Sequence, residues 1–253
     1  MKIMELHKNA NFLREKYWGD GLTCPEIGKL VNRNFRTILY WMEKLNISRR
    51  SKSLTNHLMQ KNEDIILSQK AKDFINGELL GDGTVIQRSI YSAYYSHGSK
   101  YKEYLEWLIE NFQSWGIECM QIRKRECENY IGYYFATHDY PTFIEFRKRF
   151  YPNGKKIIPK NINLSPIVLR QFYIGDGGLI KSKNGKFSIK LYTYGFSIKD
   201  VLFLMVKLKE LGIETTRQKS NIIHIGVKSA PKYLDYIGKC PEEIKDIYGY
   251  KWF

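Results

Sequence analysis

Two nine-residue segments, Ile75–Gly83 (INGELLGDG) and Leu169–Gly177 (LRQFYIGDG), end in the same Gly-Asp-Gly and open two stretches of chain that align with each other. Trp115-Gly116-Ile117-Glu118 matches Leu211-Gly212-Ile213-Glu214, and Pro141-Thr142-Phe143 matches Pro231-Lys232-Tyr233. The intervals agree as well. From the aspartate to the glycine of Gly-Ile-Glu is 34 residues in the first copy and 36 in the second, and from the aspartate to the proline 59 and 55. Self-similarity on this scale decides the architecture, because each copy is one structural unit that must pack against its twin.

Each copy reads as helix, strand pair, helix, strand pair, helix. In the first, Lys72–Gly81 is expected to be helical, Thr84–Ser96 to form strands, Lys100–Trp115 a helix, Met120–Thr137 two strands and Pro141–Phe150 a helix. In the second, Ser165 caps Pro166–Gly175, strands follow through Tyr194, Ile198–Leu211 is a helix, Thr215–Val227 gives strands and Pro231–Ile237 begins a helix. The expected fold class is therefore α+β, two αββαββα lobes over residues 72–160 and 161–253.

Asp82 and Asp176 fall where each motif helix ends, the negative pole of the macrodipole, where a carboxylate is penalised by several tenths of a kcal/mol. A divalent cation reverses that penalty. The carboxylate and the last free helix carbonyls are hard oxygen ligands of the kind Mg²⁺ accepts, with Ca²⁺ or Mn²⁺ as substitutes, so Asp82, Asp176, Gly81 and Gly175 are the candidate metal ligands. A single Gly-Asp-Gly is more often plain turn chemistry. Two copies at equivalent places change that balance, because side-by-side packing of the helices would bring both acids together, as metal-assisted phosphodiester cleavage requires. Gly77 and Gly81, one turn apart, permit that approach. Gln171 and Gly175 hold the matching places in the second helix.

A charge of +15, from 41 Lys and Arg against 26 Asp and Glu, is the electrostatic footprint of a protein that lies along a phosphate backbone. Both parts contribute: residues 1–72 carry 14 basic and 7 acidic side chains. Cys24, Cys119, Cys127 and Cys240 contain no C-x-x-C pair and no neighbouring histidine cluster, so they read as reduced and intracellular rather than as zinc ligands. No apolar leader or membrane-length run is present, which disfavours secretion and membrane insertion and places the protein in the cytoplasm, the nucleoid or an organelle.

Residues 1–50 are expected to form a small helical module. Residues 9–17 look like a first helix, broken at Trp18-Gly19-Asp20-Gly21. Thr23 can cap Pro25–Val31, Asn32-Arg33-Asn34 is a turn, and Phe35–Leu45 places Ile38, Leu39, Met42 and Leu45 on one face. This is helix-turn-helix spacing. It makes Arg33, Asn34, Arg36, Thr37 and Tyr40 candidate groove contacts; the bland alternative is an ordinary helical hairpin. Residues 51–71 are expected to be a polar, basic linker, and Arg49 and Arg50 lead into it as candidate backbone or minor-groove contacts.

Across residues 72–253 the paired helix–Gly-Asp-Gly motifs resemble those of the LAGLIDADG homing endonucleases, in the single-chain form with both copies. Phe172, Tyr173 and Arg170 depart from the small-residue pattern of that family. The resemblance implies a pseudo-twofold saddle with each four-stranded sheet in a major groove, Asp82 and Asp176 over the central minor groove, and a staggered double-strand cut by a monomer. Gln87, Arg88, Arg123, Arg125, Lys186, Lys190, Arg217 and Lys219 are then candidate DNA contacts on the strands. The resemblance also implies a basic residue near the metals, and aligning Pro141 with Pro231 nominates His138 and Lys228. Double-stranded DNA is the expected partner. Alternatives on the same scaffold are an intron RNA maturase and a DNA-binding regulator without catalysis.

Overall fold

In the computed structural model, residues 3–52, 54–55, 64–127 and 130–252 are described. The chain forms two compact units, residues 1–61 and 62–253. The expected linker over 51–71 includes residues 53 and 56–63, which lie outside the described residues. Its far end is not linker at all: Leu67 is buried in the core of the second unit, and the Asp64 carboxylate accepts the Thr142 backbone N–H at 2.9 Å. The first lobe therefore begins before residue 72.

The first unit comprises α1 (Ala10–Arg14), α2 (Cys24–Leu30) and α3 (Phe35–Lys44). Thr23 and Glu26 cap α2 reciprocally, each side chain satisfying the other residue's backbone N–H. Asn34 caps α3, accepting from Arg36 N at 2.9 Å. Leu13, Tyr17, Ile27, Val31, Ile38, Met42 and Ile47 close a small core.

The second unit repeats one topology. Its first lobe runs α4 (Gln69–Leu80), β1 (Thr84–Gln87), β2 (Ala93–Ser99), α5 (Lys102–Ser114), β3 (Arg123–Cys127), β4 (Tyr130–Ala136) and α6 (Thr142–Phe150). The second runs α7 (Pro166–Asp176), β5 (Gly177–Lys181), β6 (Phe187–Tyr192), α8 (Ile198–Glu210), β7 (Thr215–Arg217), β8 (Ile222–Ile225) and α9 (Ala230–Ile237). Each lobe is the expected αββαββα unit. The sheets are antiparallel, ordered β1-β2-β4-β3 and β5-β6-β8-β7. After α9 the chain continues through α10 (Lys245–Tyr248) and a short 3₁₀ turn, Gly249–Lys251.

Alternation along the strands separates the faces. Tyr95, Phe135, Ile189, Leu191, Ile223 and Ile225 point into one shared core with α4 and α7, while Tyr94, Ser96, Tyr134, Lys190 and His224 lie on the opposite faces. Ser68 and Ser165 cap α4 and α7, whose side-by-side packing forms the seam between lobes. No helix among the described residues is long and apolar enough to cross a membrane.

Candidate active site at the helix seam

The seam has room for backbone and little else. A methyl group on Gly77 would lie 2.4 Å from the Val168 carbonyl oxygen and 2.7 Å from Cβ of Gln171. At the other end of the helices Gly81 and Gly175 face each other: a side chain on Gly175 would meet Gly81 Cα and Asp82 N at 3.5 Å and Asp82 Oδ2 at 3.7 Å. The approach brings Asp82 and Asp176 to one place. Asp82 is exposed and Asp176 half-buried. Burial, and then the negative charge of Asp82, push the Asp176 carboxyl up to about 7; Lys156, Lys251 and His97 oppose the rise.

Two lysines, Lys251 buried and Lys156 half-buried, close the helix ends. Lys156 Nζ donates to the carbonyls of Gly81 at 2.6 Å and Gly83 at 3.1 Å. Lys251 Nζ donates to the carbonyls of Ile174 at 2.6 Å, Gly175 at 3.2 Å and Tyr173 at 3.4 Å. These ammonium groups supply the positive charge that a helix C-terminus favours. Gly81 and Gly175 therefore serve a lysine first, and each carbonyl keeps a second lone pair. Burial lowers the pKa of both amines, that of Lys251 to about 8, against the pull of Asp176 and Asp82.

Tyrosines floor the two turns differently. In the first lobe Tyr95 lies beneath Gly83, where an added methyl would come within 2.7 Å of its hydroxyl. That hydroxyl donates to Glu78 at 2.9 Å, Tyr104 donates to the other Glu78 oxygen at 2.8 Å, and His97 Nδ1 is 3.1 Å from the same carboxylate. In the second lobe, the equivalent positions counted from the aspartate are apolar: Phe172, Ile189 and Leu191. There Tyr173 packs beneath Gly177, and its hydroxyl donates to the Lys251 carbonyl. Gly83 and Gly177 are needed for this close packing, not for a left-handed turn.

The donor set suits a hard divalent cation. Two carboxylates meet, burial and mutual repulsion raise one of them, and a cation between them would relieve both costs. No group of three or more His, Cys, Asp or Glu side chains is placed to hold a metal among the described residues. A site with two acids fits Mg²⁺, which is commonly bound through one or two carboxylates plus substrate phosphates and water.

This geometry has close relatives. The model of the LAGLIDADG DNA endonuclease family matches residues 72–233, well over half the chain. The chain belongs to the LAGLIDADG DNA endonuclease family. Uncharacterized protein MJ1098 of Methanocaldococcus jannaschii is 31% identical over 202 residues, covering 78% of this chain and 76% of the relative. Cytochrome b mRNA maturase bI2 of Debaryomyces hansenii is 31% identical over 168 residues, and the match spans 61% of this chain and 62% of the maturase. In fold, the LAGLIDADG chain is similar to the homing endonuclease I-WcaI bound to its DNA recognition sequence, with a TM-score of 0.60 at 22% identity over 83% of this chain and 96% of that one.

The two basic candidates from the repeat alignment are not at the LAGLIDADG seam. His138 faces Glu118, 3.3 Å away, and Lys228 lines a separate hollow with Glu214, Thr216 and His224. The register explains the miss: both follow the last strand of a lobe, away from the helix ends. Lys156 and Lys251 lie beyond the last helices instead. A signal for them exists, since they follow Asp82 and Asp176 by 74 and 75 residues.

The remaining candidates divide by face. Arg123 and Arg125 pair with Tyr134 and Gly132 on the outer face of the first sheet, and Lys190 lies on the outer face of the second. Arg217 pairs with Ile223, whose face is the core side, and its guanidinium donates to Asn221 at 3.2 Å, so the register turns it away from the outer face. Gln87 shares the core-side parity of Val85 and donates to the Ser89 carbonyl. Arg88, Lys186 and Lys219 sit in turns rather than strands, and Arg88 lies 3.4 Å from Asp139. In the first unit Arg33, Arg36, Tyr40 and Arg49 are exposed, Thr37 is half-buried and Asn34 is engaged as a cap. Arg50 is only 7% exposed. It donates to the carbonyls of Gly21 and Leu22 and stacks on the Tyr17 ring at 4.0 Å, so it is a structural clamp and not a DNA contact.

Proposed function

We propose that this chain is a monomeric homing endonuclease, acting inside the cell, that makes a Mg²⁺-dependent staggered double-strand cut in a long DNA target. The observation that carries this reading is the convergence of Asp82 and Asp176 at the helix seam, each beside a lysine that holds a helix-end carbonyl. Bound there, divalent cations would polarise the scissile phosphates and activate water. Asp82 and Asp176 would hold them, each acid serving mainly one strand, which offsets the two cuts. Lys156 and Lys251 fix the carbonyls behind the acids and keep positive charge next to developing negative charge. Arg123, Arg125 and Lys190 would meet the duplex on the outer sheet faces. Helices α2 and α3, with Arg33, Arg36, Thr37, Tyr40 and Arg49, would extend the recognised site as a helix-turn-helix reader.

Selection of cleaved sequences from a random duplex library, with Mg²⁺ and with Ca²⁺, tests the assignment. One long preferred site with offset nicks is expected. Asp82→Asn and Asp176→Asn should bind that site and fail to cut both strands, and full double-strand cleavage by either variant would defeat the roles assigned here.

The identity to cytochrome b mRNA maturase bI2 favours a second reading, binding of intron RNA by the same basic surface. Competition between RNA and the selected duplex, and splicing assistance that survives Asp82→Asn, would distinguish it.

A further inference from the structure

Beside Asp82, between the first sheet and the tail of the second lobe, lies a cavity of about 520 Å³. Its character is unusual for a sheet surface. Gly98 and Gly132 give it a side-chain-free floor, Tyr134 and Tyr250, 38% and 62% exposed, line it with aromatic rings, and Lys100 and Arg125 line it with positive charge. Tyr101 and Tyr248, edge to face at 5.7 Å, form its wall, so the aromatic side is braced from both lobes.

The repeat departs from its own symmetry at the floor of this cavity. Gly98 pairs with Tyr134 across β2 and β4, and the equivalent pair across β6 and β8 is Tyr192 with Ile222. In the second lobe the Tyr192 ring covers Gly178, with its nearest carbon 3.3 Å from where a side chain would start. Gly98 therefore lines the cavity with backbone alone at the position where the second lobe carries the Tyr192 ring.

We infer that this cavity is a subsite for one unstacked nucleotide, its base against Tyr134 and Tyr250 and its phosphate toward Lys100 and Arg125. Three observations support that ligand. The volume lies in the range of small-molecule sites, about 300–1,000 Å³. Exposed aromatic rings interleaved with cations suit single-stranded nucleic acid, because every base has a face to stack and every nucleotide carries a phosphate. The carboxylate of Asp82 opens onto the same space, so a nucleotide held there is adjacent to the strand that Asp82 would serve. Holding a base out of the stack bends and unpairs a duplex locally, which would give this half of the site a sequence preference set by ease of unstacking. The inference deepens the nuclease reading and rests on it for the position of the strand, while the cavity itself can be tested without any cleavage.

The informative variant is Gly98→Tyr, which puts in the first lobe what the second lobe has at Tyr192. A side chain there first meets the Tyr133 carbonyl oxygen at 3.6 Å, ordinary contact distance, and net charge does not change. Binding of a fluorescein-labelled single-stranded pentanucleotide, followed by anisotropy with Ca²⁺ present, should weaken at least tenfold in Gly98→Tyr and in Tyr134→Ala/Tyr250→Ala, both showing wild-type thermal melting. Unchanged binding by both folded variants would overturn the subsite. With the selected duplex, 2-aminopurine placed in turn at positions flanking each scissile phosphate should brighten at one position on the Asp82 side in the wild type and stay quenched in Gly98→Tyr. Cleavage by the wild type with every position stacked, and with Gly98→Tyr cutting equally well, would remove the subsite and leave the nuclease standing. Absence of cleavage of any DNA would remove the nuclease, and the pentanucleotide titration would still decide the cavity.

Discussion

Replacing Asp176 by asparagine should make the metal-free protein more stable at pH 8 while abolishing its chemistry. Burial and the neighbouring Asp82 carry the Asp176 carboxyl from its ordinary value of 3.8 up to about 7. A raised carboxyl contributes stability that is complete below the ordinary aspartate range and is lost as pH rises through about 7. The shift of roughly 3 units corresponds to about 4 kcal/mol at 1.36 kcal/mol per unit. Asparagine removes the charge, but Lys156 and Lys251 then lose a counter-charge, so a net gain of about 2 kcal/mol at pH 8 is expected, or roughly 4–8 °C in Tm for a unit of this size. At pH 4 wild type and variant should melt together, because both then carry a neutral group at this position. Thermal unfolding followed by circular dichroism in EDTA at pH 4, 6 and 8 measures the difference, and repeating the pH 8 series with Mg²⁺ should raise the wild type more than the variant. A stability difference that does not grow between pH 4 and pH 8 would refute the argument that Asp176 is held against its own charge.

Other outcomes follow from the same geometry. Lys251→Met or Lys156→Met should reduce cleavage about 100-fold with DNA binding retained, as expected for loss of a cation beside developing charge, whereas His138→Ala and Lys228→Ala should cut within threefold of wild type; kinetics on the selected target separate the two groups. Because burial lowers Lys251 to about 8, its contribution to stability should rise between about pH 8 and the ordinary lysine range, and Lys251→Met should lack that rise in urea titrations. Gly77→Ala should destabilise the second unit by about 3 kcal/mol, since the added methyl falls 2.4 Å from a carbonyl oxygen and the helices must separate to admit it. Arg50→Met should cost the first unit about 2 kcal/mol by removing charge-assisted bonds to Gly21 and Leu22, detectable as a lower first transition in calorimetry.

Much of the architecture was legible because the repeat is enforced by backbone constraints that leave marks in the sequence. Gly116 and Gly212 recur because each has a positive φ, 78° and 71°, just past a helix end. Gly83 and Gly177 recur because a tyrosine lies against each. The acids were legible for the same reason, as both sit inside a repeated register. The lysines leave only a matched spacing past the two acids, because their partners are main-chain carbonyls more than seventy residues away, and a carbonyl's sequence identity does not record which ammonium it accepts. Tyr173 looked like a misfit in a small-residue helix until the Lys251 carbonyl it supports was in view. Arg50 looked like a DNA contact because a basic run leading into a polar stretch is indistinguishable from a buried clamp until the Tyr17 ring is seen beneath it. Gln87 and Arg217 fell on the core-side parity of their strands, since a shift of one residue moves a side chain to the other face.

The carboxylate of Glu78, tied to two phenols and an imidazole under one motif aspartate and answered by a phenylalanine under the other, means that the two halves have become chemically distinct parts. A symmetric enzyme assembled from two copies of either half would inherit one kind of foundation twice. Lobe swaps aimed at palindromic targets would therefore need the motif helix moved together with the sheet and tail that support it, since a transplanted turn would arrive above the wrong floor.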